Sequence, residues 1–303
     1  MESFYLLLLV ATVLVLVAAF SSLIAFRFGA PLLLLFLMIG LAAGVDGLGI
    51  EFTNNPLAYM LGSLVLAVIL FDSGFGTSIQ SFRLSAAPAV ALATVGVILT
   101  SVFFAGAAAL LLGLSWLEGL LLGAIVASTD AAAVFFLLRI GGIHIRDQVR
   151  STLEVESGTN DPMAIFLTIA LVEIIAKGQG LAGIDSGFLL LFIEQMGLGV
   201  IFGLLGGVMI ATVVNRFAAD RGLAPIFVLA LALLVFSFTG TIGGSGFLAV
   251  YVAGIVAGNR RIFAKETIRR FHEGLTWLAQ IIMFLMLGLL ATPSQFPAIA
   301  IPA

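Results

Sequence analysis

Between Glu154 and Pro162 the chain reads Glu154-Val155-Glu156-Ser157-Gly158-Thr159-Asn160-Asp161-Pro162, three carboxylates, two hydroxyls and an amide inside an otherwise apolar stretch. On a helix Ser157 and Asp161 stand one turn apart with Glu154 on the same face, and Glu156 and Asn160 form the adjacent stripe. The ligating atoms are oxygens, which suit hard monovalent or alkaline-earth cations and argue against zinc or copper. Pro162 has no backbone N–H to give, so it weakens the helix beside the acid and leaves a carbonyl available. A single Ser or Asn in a membrane helix is ordinarily interhelical glue; a cluster this dense reads as a site.

A second polar group, Ala127-Ser128-Thr129-Asp130-Ala131, supplies the partner. Ser and Thr can satisfy backbone opened by a local unwinding, and opened carbonyls bind cations where they line a cavity. Asp130 has no basic residue within a helical turn, so its counter-charge is distant, an ion or a proton. Desolvation disfavours an ionised carboxylate while a bound cation favours it, so one aspartate can alternate between a proton and a metal ion. Two ligands competing for one site that crosses the membrane only when occupied is antiport chemistry. Asp72, in Ile69-Leu70-Phe71-Asp72-Ser73-Gly74, lies toward the cytoplasmic end of its span, where both snorkelling and site membership are open to it. Glu173 and Glu194 lie nearer span ends, and Glu173 precedes Lys177 by one turn.

The elements that position these residues follow from composition. Of 303 residues 62% are hydrophobic and 10% charged, against about 25% charged in a soluble domain. The run from Phe4 to Phe26 carries no charge, and it exceeds the ~20 residues that cross a bilayer. It lacks the basic start of a signal peptide and is too long for one. With no cysteine, disulfides and thiol chemistry are excluded, and nothing in the sequence points to an enzyme or a bound cofactor. Gly, Pro and charge clusters divide the chain into ten spans, at 3–26, 31–45, 57–76, 85–112, 116–138, 148–176, 187–215, 223–241, 244–258 and 273–291. The expected fold is an all-α polytopic membrane protein.

Twelve of the thirteen basic residues fall in the loops after odd-numbered spans, and only Lys177 falls opposite. Positive charge stays cytoplasmic, which puts the N-terminus outside. Gly40-Leu41-Ala42-Ala43-Gly44 resembles Gly254-Ile255-Val256-Ala257-Gly258, and Gly74 and Gly288 follow each at the same distance, an offset of 214 residues throughout. Spans one to three then match eight to ten across a lone seventh span, an inverted-topology repeat as in many secondary transporters. The organisation expected is a first repeat over 1–177, a linking helix over 187–215 and a partial second repeat over 223–303, incomplete at the C-terminus.

Glu156-Ser157-x-x-Asn160-Asp161, about 25 residues after Thr129-Asp130, resembles the NhaP/NHE branch of the cation:proton antiporters. The flanking Gly158-Thr159 and Phe71-Asp72-Ser73-Gly74 are most similar to its bacterial potassium/proton subgroup, and the similarity runs along essentially the whole chain. The resemblance implies a thirteen-span fold, a homodimer in the bacterial inner membrane, and an elevator-like movement of a core domain against a dimerisation domain. Asp161 would be the principal cation- and proton-binding carboxylate, with Asp130, Ser157 and a Thr129 carbonyl completing the site for potassium or sodium. Asp72 falls where the family has an acidic residue near the ion. The family pairs the Glu156 position with an arginine on a late helix, and no such arginine occurs in the ten spans. An Asn160-Asp161 pair, in place of two aspartates, is associated with electroneutral exchange.

A cation channel and an intramembrane aspartyl protease are the alternatives. The protease's Gly-x-Gly-Asp motif is absent, and a compact carboxylate site favours alternating access over an open pore. His144 and His272 fall in expected cytoplasmic loops, where solvation is the ordinary fate. Lys265-Glu266-Thr267-Ile268-Arg269-Arg270-Phe271 has the pattern of an amphipathic interfacial helix, and Gly243-Gly244-Ser245-Gly246 joins two short spans.

Overall fold

A computed structural model describes residues 2–28, 32–129, 131–217 and 220–296. Regular structure among them is helical: α1 (Glu2–Phe28), α2 (Leu32–Ala43), α3 (Asn55–Gly76), α4 (Ile79–Ala91), α5 (Val97–Leu111), α6 (Trp116–Val126), α7 (Ala131–Ile140), α8 (Asp147–Ala176), α9 (Ser186–Phe217), α10 (Ala224–Thr241), α11 (Gly246–Gly258) and α12 (Lys265–Leu290). Six helical stretches are long and apolar enough to cross a bilayer: Asn55–Gly76, Ile79–Leu111, Asp147–Ala176, Ser186–Phe217, Ala224–Thr241 and Lys265–Leu290. The second of them is α4 and α5 joined by a π-turn, Leu92–Gly96, just after Pro88. Four shorter apolar helices, Leu8–Leu23, Leu32–Ala43, Trp116–Val126 and Gly246–Gly258, fill the other expected spans. Large apolar side chains stand in the open along these helices, Leu110 at 87% and Phe103 at 76% exposure. Hydrocarbon solvates such surfaces and water does not, so the chain is a multi-pass membrane protein.

Two expectations give way. The span expected over 116–138 is broken: α6, begun by a capping box of Ser115 and Glu118, ends at Val126, and α7 starts at Ala131. The last helix starts at Lys265 rather than 273, because the amphipathic stretch continues into the span. Glu266 pairs with Arg269 and Arg270 at 3.1 Å on one face, while Ile268 and His272, one turn apart, turn inward at 0% exposure. His272 is therefore a buried helical residue and not a solvated loop residue, its ring 5.2 Å from that of Phe71. His144 does stay exposed in a loop. In the glycine run, Gly243 takes a left-handed φ of +84° that closes α10, and the Ser245 side chain caps α11.

The chain divides into two compact units, one of residues 1–69, 132–144 and 274–303, the other of residues 70–131 and 145–273. In the first, Ala18, Leu32, Phe36, Ile281 and Leu285 form a core between α1, α2 and α12. A Cβ on Gly40 would stand 2.4 Å from the Leu285 carbonyl oxygen and 2.9 Å from the Gly288 Cα, so α2 and α12 cross in direct backbone contact. In the second, Val97, Leu117, Ala124, Phe166 and Ala170 pack α5, α6 and α8 together. There α11 crosses α3, and a Cβ on Gly254 would stand 2.4 Å from the Phe71 oxygen and 3.1 Å from the Gly74 carbonyl carbon. The pair Gly40/Gly288 becomes Gly254/Gly74 when each partner is moved by 214 residues.

Candidate functional site

The break between α6 and α7 leaves backbone polar groups without a helical ladder, which hydrocarbon does not tolerate unless other groups satisfy them. Side chains of α8, which runs unbroken past Pro162, supply the satisfaction. Ser157 Oγ donates to the Thr129 carbonyl at 3.0 Å and accepts from the Ala131 N–H at 3.1 Å. One hydroxyl thus ties off the last described carbonyl before the break and the first amide of α7.

A polar ring forms beside it. Asn160 Nδ2 donates to Thr129 Oγ1 at 2.8 Å and to Glu156 Oε1 at 3.0 Å, and Thr129 Oγ1 in turn lies 3.1 Å from both Glu156 oxygens as a donor. Glu156 is held by an amide four residues on and a hydroxyl 27 residues back in sequence. Asn160 is fully buried, and its Oδ1 has no hydrogen-bond partner among the described residues. Such an oxygen costs about 1–3 kcal/mol when left unmet.

Asp161 is half-buried and accepts from Ser128 Oγ, which the broken segment carries. The structure therefore brings Thr129, Glu156, Ser157, Asn160 and Asp161 into one cluster. It adds Ser128, whose sequence signal was only a hydroxyl able to satisfy nearby backbone. Asp130 lies outside the described residues. Asp72 is half-buried on the turn of α3 that crosses α11, next to the buried Phe71 and Gly74. Glu154 pairs with Arg150 at 3.0 Å, and Glu173 with Lys177 at 2.6 Å, both as i,i+4 pairs.

Among the described residues no three His, Cys, Asp or Glu side chains gather within metal-binding reach. A cation at this cluster would be held by mixed carboxylate, hydroxyl, amide and carbonyl oxygens, a weak and hydratable shell suited to a passing monovalent ion. The α6 C-terminus adds the negative end of a helix dipole to the same segment. A cavity of about 380 Å³ lined by Glu173, Lys177 and Asp185 opens at the other end of α8, some 18 Å along the helix from Asp161.

A helical membrane protein with an oxygen-rich carboxylate cluster on an unbroken helix, bonded to the break after α6, has the architecture of a secondary transporter. The chain belongs to the sodium/hydrogen exchanger family: residues 12–302 match the family described as "Sodium/hydrogen exchanger, transmembrane", a family of transporters and not of enzymes. It is 47% identical to the K(+)/H(+) antiporter NhaP of Alkalimonas amylolytica, over 99% of this chain and 53% of that protein. It is 44% identical to the K(+)/H(+) antiporter NhaP2 of Shewanella sp. (strain ANA-3), over 97% of this chain and 51% of that protein. The chain thus spans about half the length of these curated relatives. Its fold matches the solved sodium proton antiporter MjNhaP1 from Methanocaldococcus jannaschii with a TM-score of 0.81 at 24% identity, over 96% of this chain and 74% of that one.

Proposed function

We propose that this chain is a membrane transport domain that exchanges a monovalent cation for protons, one for one, at Asp161. The observation that carries the reading is the half-buried Asp161, bonded to Ser128 of a broken helix and set among oxygen donors. Ionised, the carboxylate gains from a cation; desolvated, it gains from a proton, and the two exclude each other. Asp130, Ser157 and the Thr129 carbonyl complete the site. Ser157 keeps one lone pair beyond its two backbone bonds, and a carbonyl oxygen that takes one hydrogen bond keeps another. Asp72 serves as a further acid near the ion. Glu156 and Asn160 set the geometry of the broken segment.

Potassium is the favoured ion, because the relatives at 44–47% identity carry that name, with sodium as the competitor. The inverted repeat is supported by the two glycine crossings that a single sequence offset interconverts. The setting is a homodimer in a bacterial inner membrane, N-terminus outside, in keeping with the bacterial relatives and the one-sided distribution of Arg and Lys.

Everted vesicles with a preset proton gradient test the reading. Potassium or sodium should dissipate the gradient where choline does not, and Asp161→Asn should abolish the effect. A properly inserted Asp161→Asn protein that dissipates the gradient as wild type does would refute it.

A further inference from the structure

The chain holds 26 phenylalanines and three tyrosines. Tyr5 and Tyr59 are each 64% exposed, but Tyr251 on α11 is 1% exposed. Its hydroxyl is buried with no hydrogen-bond partner among the described residues. Other buried aromatic positions, such as Phe36, Phe71, Phe75 and Phe166, are filled by phenylalanine. A desolvated phenol among positions filled by phenylalanine is a cost that a partner for the hydroxyl must offset.

The surroundings point to which ligand. The ring lies on Gly158 of α8, where a Cβ would stand 2.4 Å from Tyr251 Cε2 and 2.6 Å from its hydroxyl oxygen. Gly158 sits between Ser157 and Thr159, so the phenol enters the very turn of α8 that holds the polar cluster. From the other side Gly74 of α3, two residues beyond Asp72, crosses the Tyr251 backbone, with its Cβ position 2.2 Å from the Tyr251 carbonyl oxygen. Thr77 and Thr159 face the hydroxyl, and the Asp161 and Glu154 carboxylates lie within electrostatic reach. Both threonines give their own protons to carbonyls, of Ser73 and Val155, which leaves their oxygens as acceptors.

We infer that Tyr251 is a positioning residue of the ion site, its hydroxyl binding the hydration water of the cation held at Asp161. Water on a cation turns its hydrogens outward and donates to the phenol oxygen, while the phenol proton turns to Thr77 or Thr159. Through Tyr251 the second repeat contributes to a site otherwise built from the first. The inference rests on the antiport reading of Asp161.

The test is the potassium dependence of exchange in everted vesicles for wild type, Tyr251→Phe, Gly158→Ala and Asp161→Asn. Tyr251→Phe keeps the ring and should raise the apparent KM for potassium roughly fivefold, the loss of one water-mediated contact. Apparent KM does not depend on how much protein folds. An unchanged apparent KM in Tyr251→Phe, whatever its maximal rate, overturns the inference. So does a raised KM in Gly158→Ala alone, since that marks the ring's packing and not its hydroxyl. Inactive Asp161→Asn beside wild-type Tyr251→Phe leaves the antiport reading standing and removes only the tyrosine. Active Asp161→Asn removes both.

Discussion

Ser157 uses a single oxygen to close both sides of a helix break, so its loss should be felt as stability before it is felt as chemistry. Ser157→Ala removes two hydrogen bonds to backbone that hydrocarbon cannot rehydrate. At about 1 kcal/mol net for each bond, the variant should lose roughly 2 kcal/mol, read as a lower midpoint of thermal unfolding in detergent. An unchanged midpoint would mean that the break is held by other groups. The density of polar groups from Glu154 to Asp161 made the candidate cluster legible in sequence, because hydrocarbon makes each such group expensive. Partners 26 to 33 residues away were not legible, since no local pattern encodes which hydroxyl meets which carboxylate. Ser128 was missed as a partner of Asp161 for that reason, and Tyr251 gave no signal at all beyond its residue type. Glu154 stood on the right helical face, yet Arg150 one turn earlier takes it up.

At the scale of elements, glycine spacing decided more than hydrophobicity did. Any side chain on Gly288 would meet the Leu37 carbonyl oxygen at 2.4 Å and the Gly40 Cα at 2.7 Å, both backbone atoms that cannot swing aside. Gly288→Ala should therefore destabilise the protein by more than about 2 kcal/mol, as overpacking of a close crossing does. Gly197→Ala in α9 is the control: nothing lies within 4 Å of its Cβ position, and a helical Gly→Ala exchange favours the fold by up to about 1 kcal/mol. Unfolding midpoints of the two variants should move in opposite directions; a common direction would contradict the close crossing. Periodicity placed the spans well, and it erred where a helix and a span are not the same thing. The break at 127–129 satisfies its backbone through α8, which no property of residues 116–138 reveals. The start of α12 has a legible amphipathic pattern that its i,i+4 pairs fit, but the pattern does not reveal that the helix runs on into the span with His272 turned inward.

The distribution of basic residues belongs to the whole molecule, and it argues for an orientation that labelling can check. The chain has no cysteine, so single introduced thiols report cleanly. Asp220→Cys, beside Arg216 and Arg221, should react with an impermeant thiol reagent only from the cytoplasmic face, and Gln179→Cys only from the outside. The reverse pattern would invert the topology. Apolar length marks out six long spans, and the shorter apolar helices follow from the Gly, Pro and charge clusters that divide the chain.

The central claim is that a proton and a cation compete for one carboxylate. Proton release on adding potassium chloride to the purified protein, in weakly buffered detergent against a choline chloride control, measures that competition without requiring transport. The account predicts release of up to about one proton per bound potassium ion, largest where Asp161 is protonated before the salt is added, and none from Asp161→Asn. Potassium binding with no proton release at any pH, or release undiminished in Asp161→Asn, would contradict it.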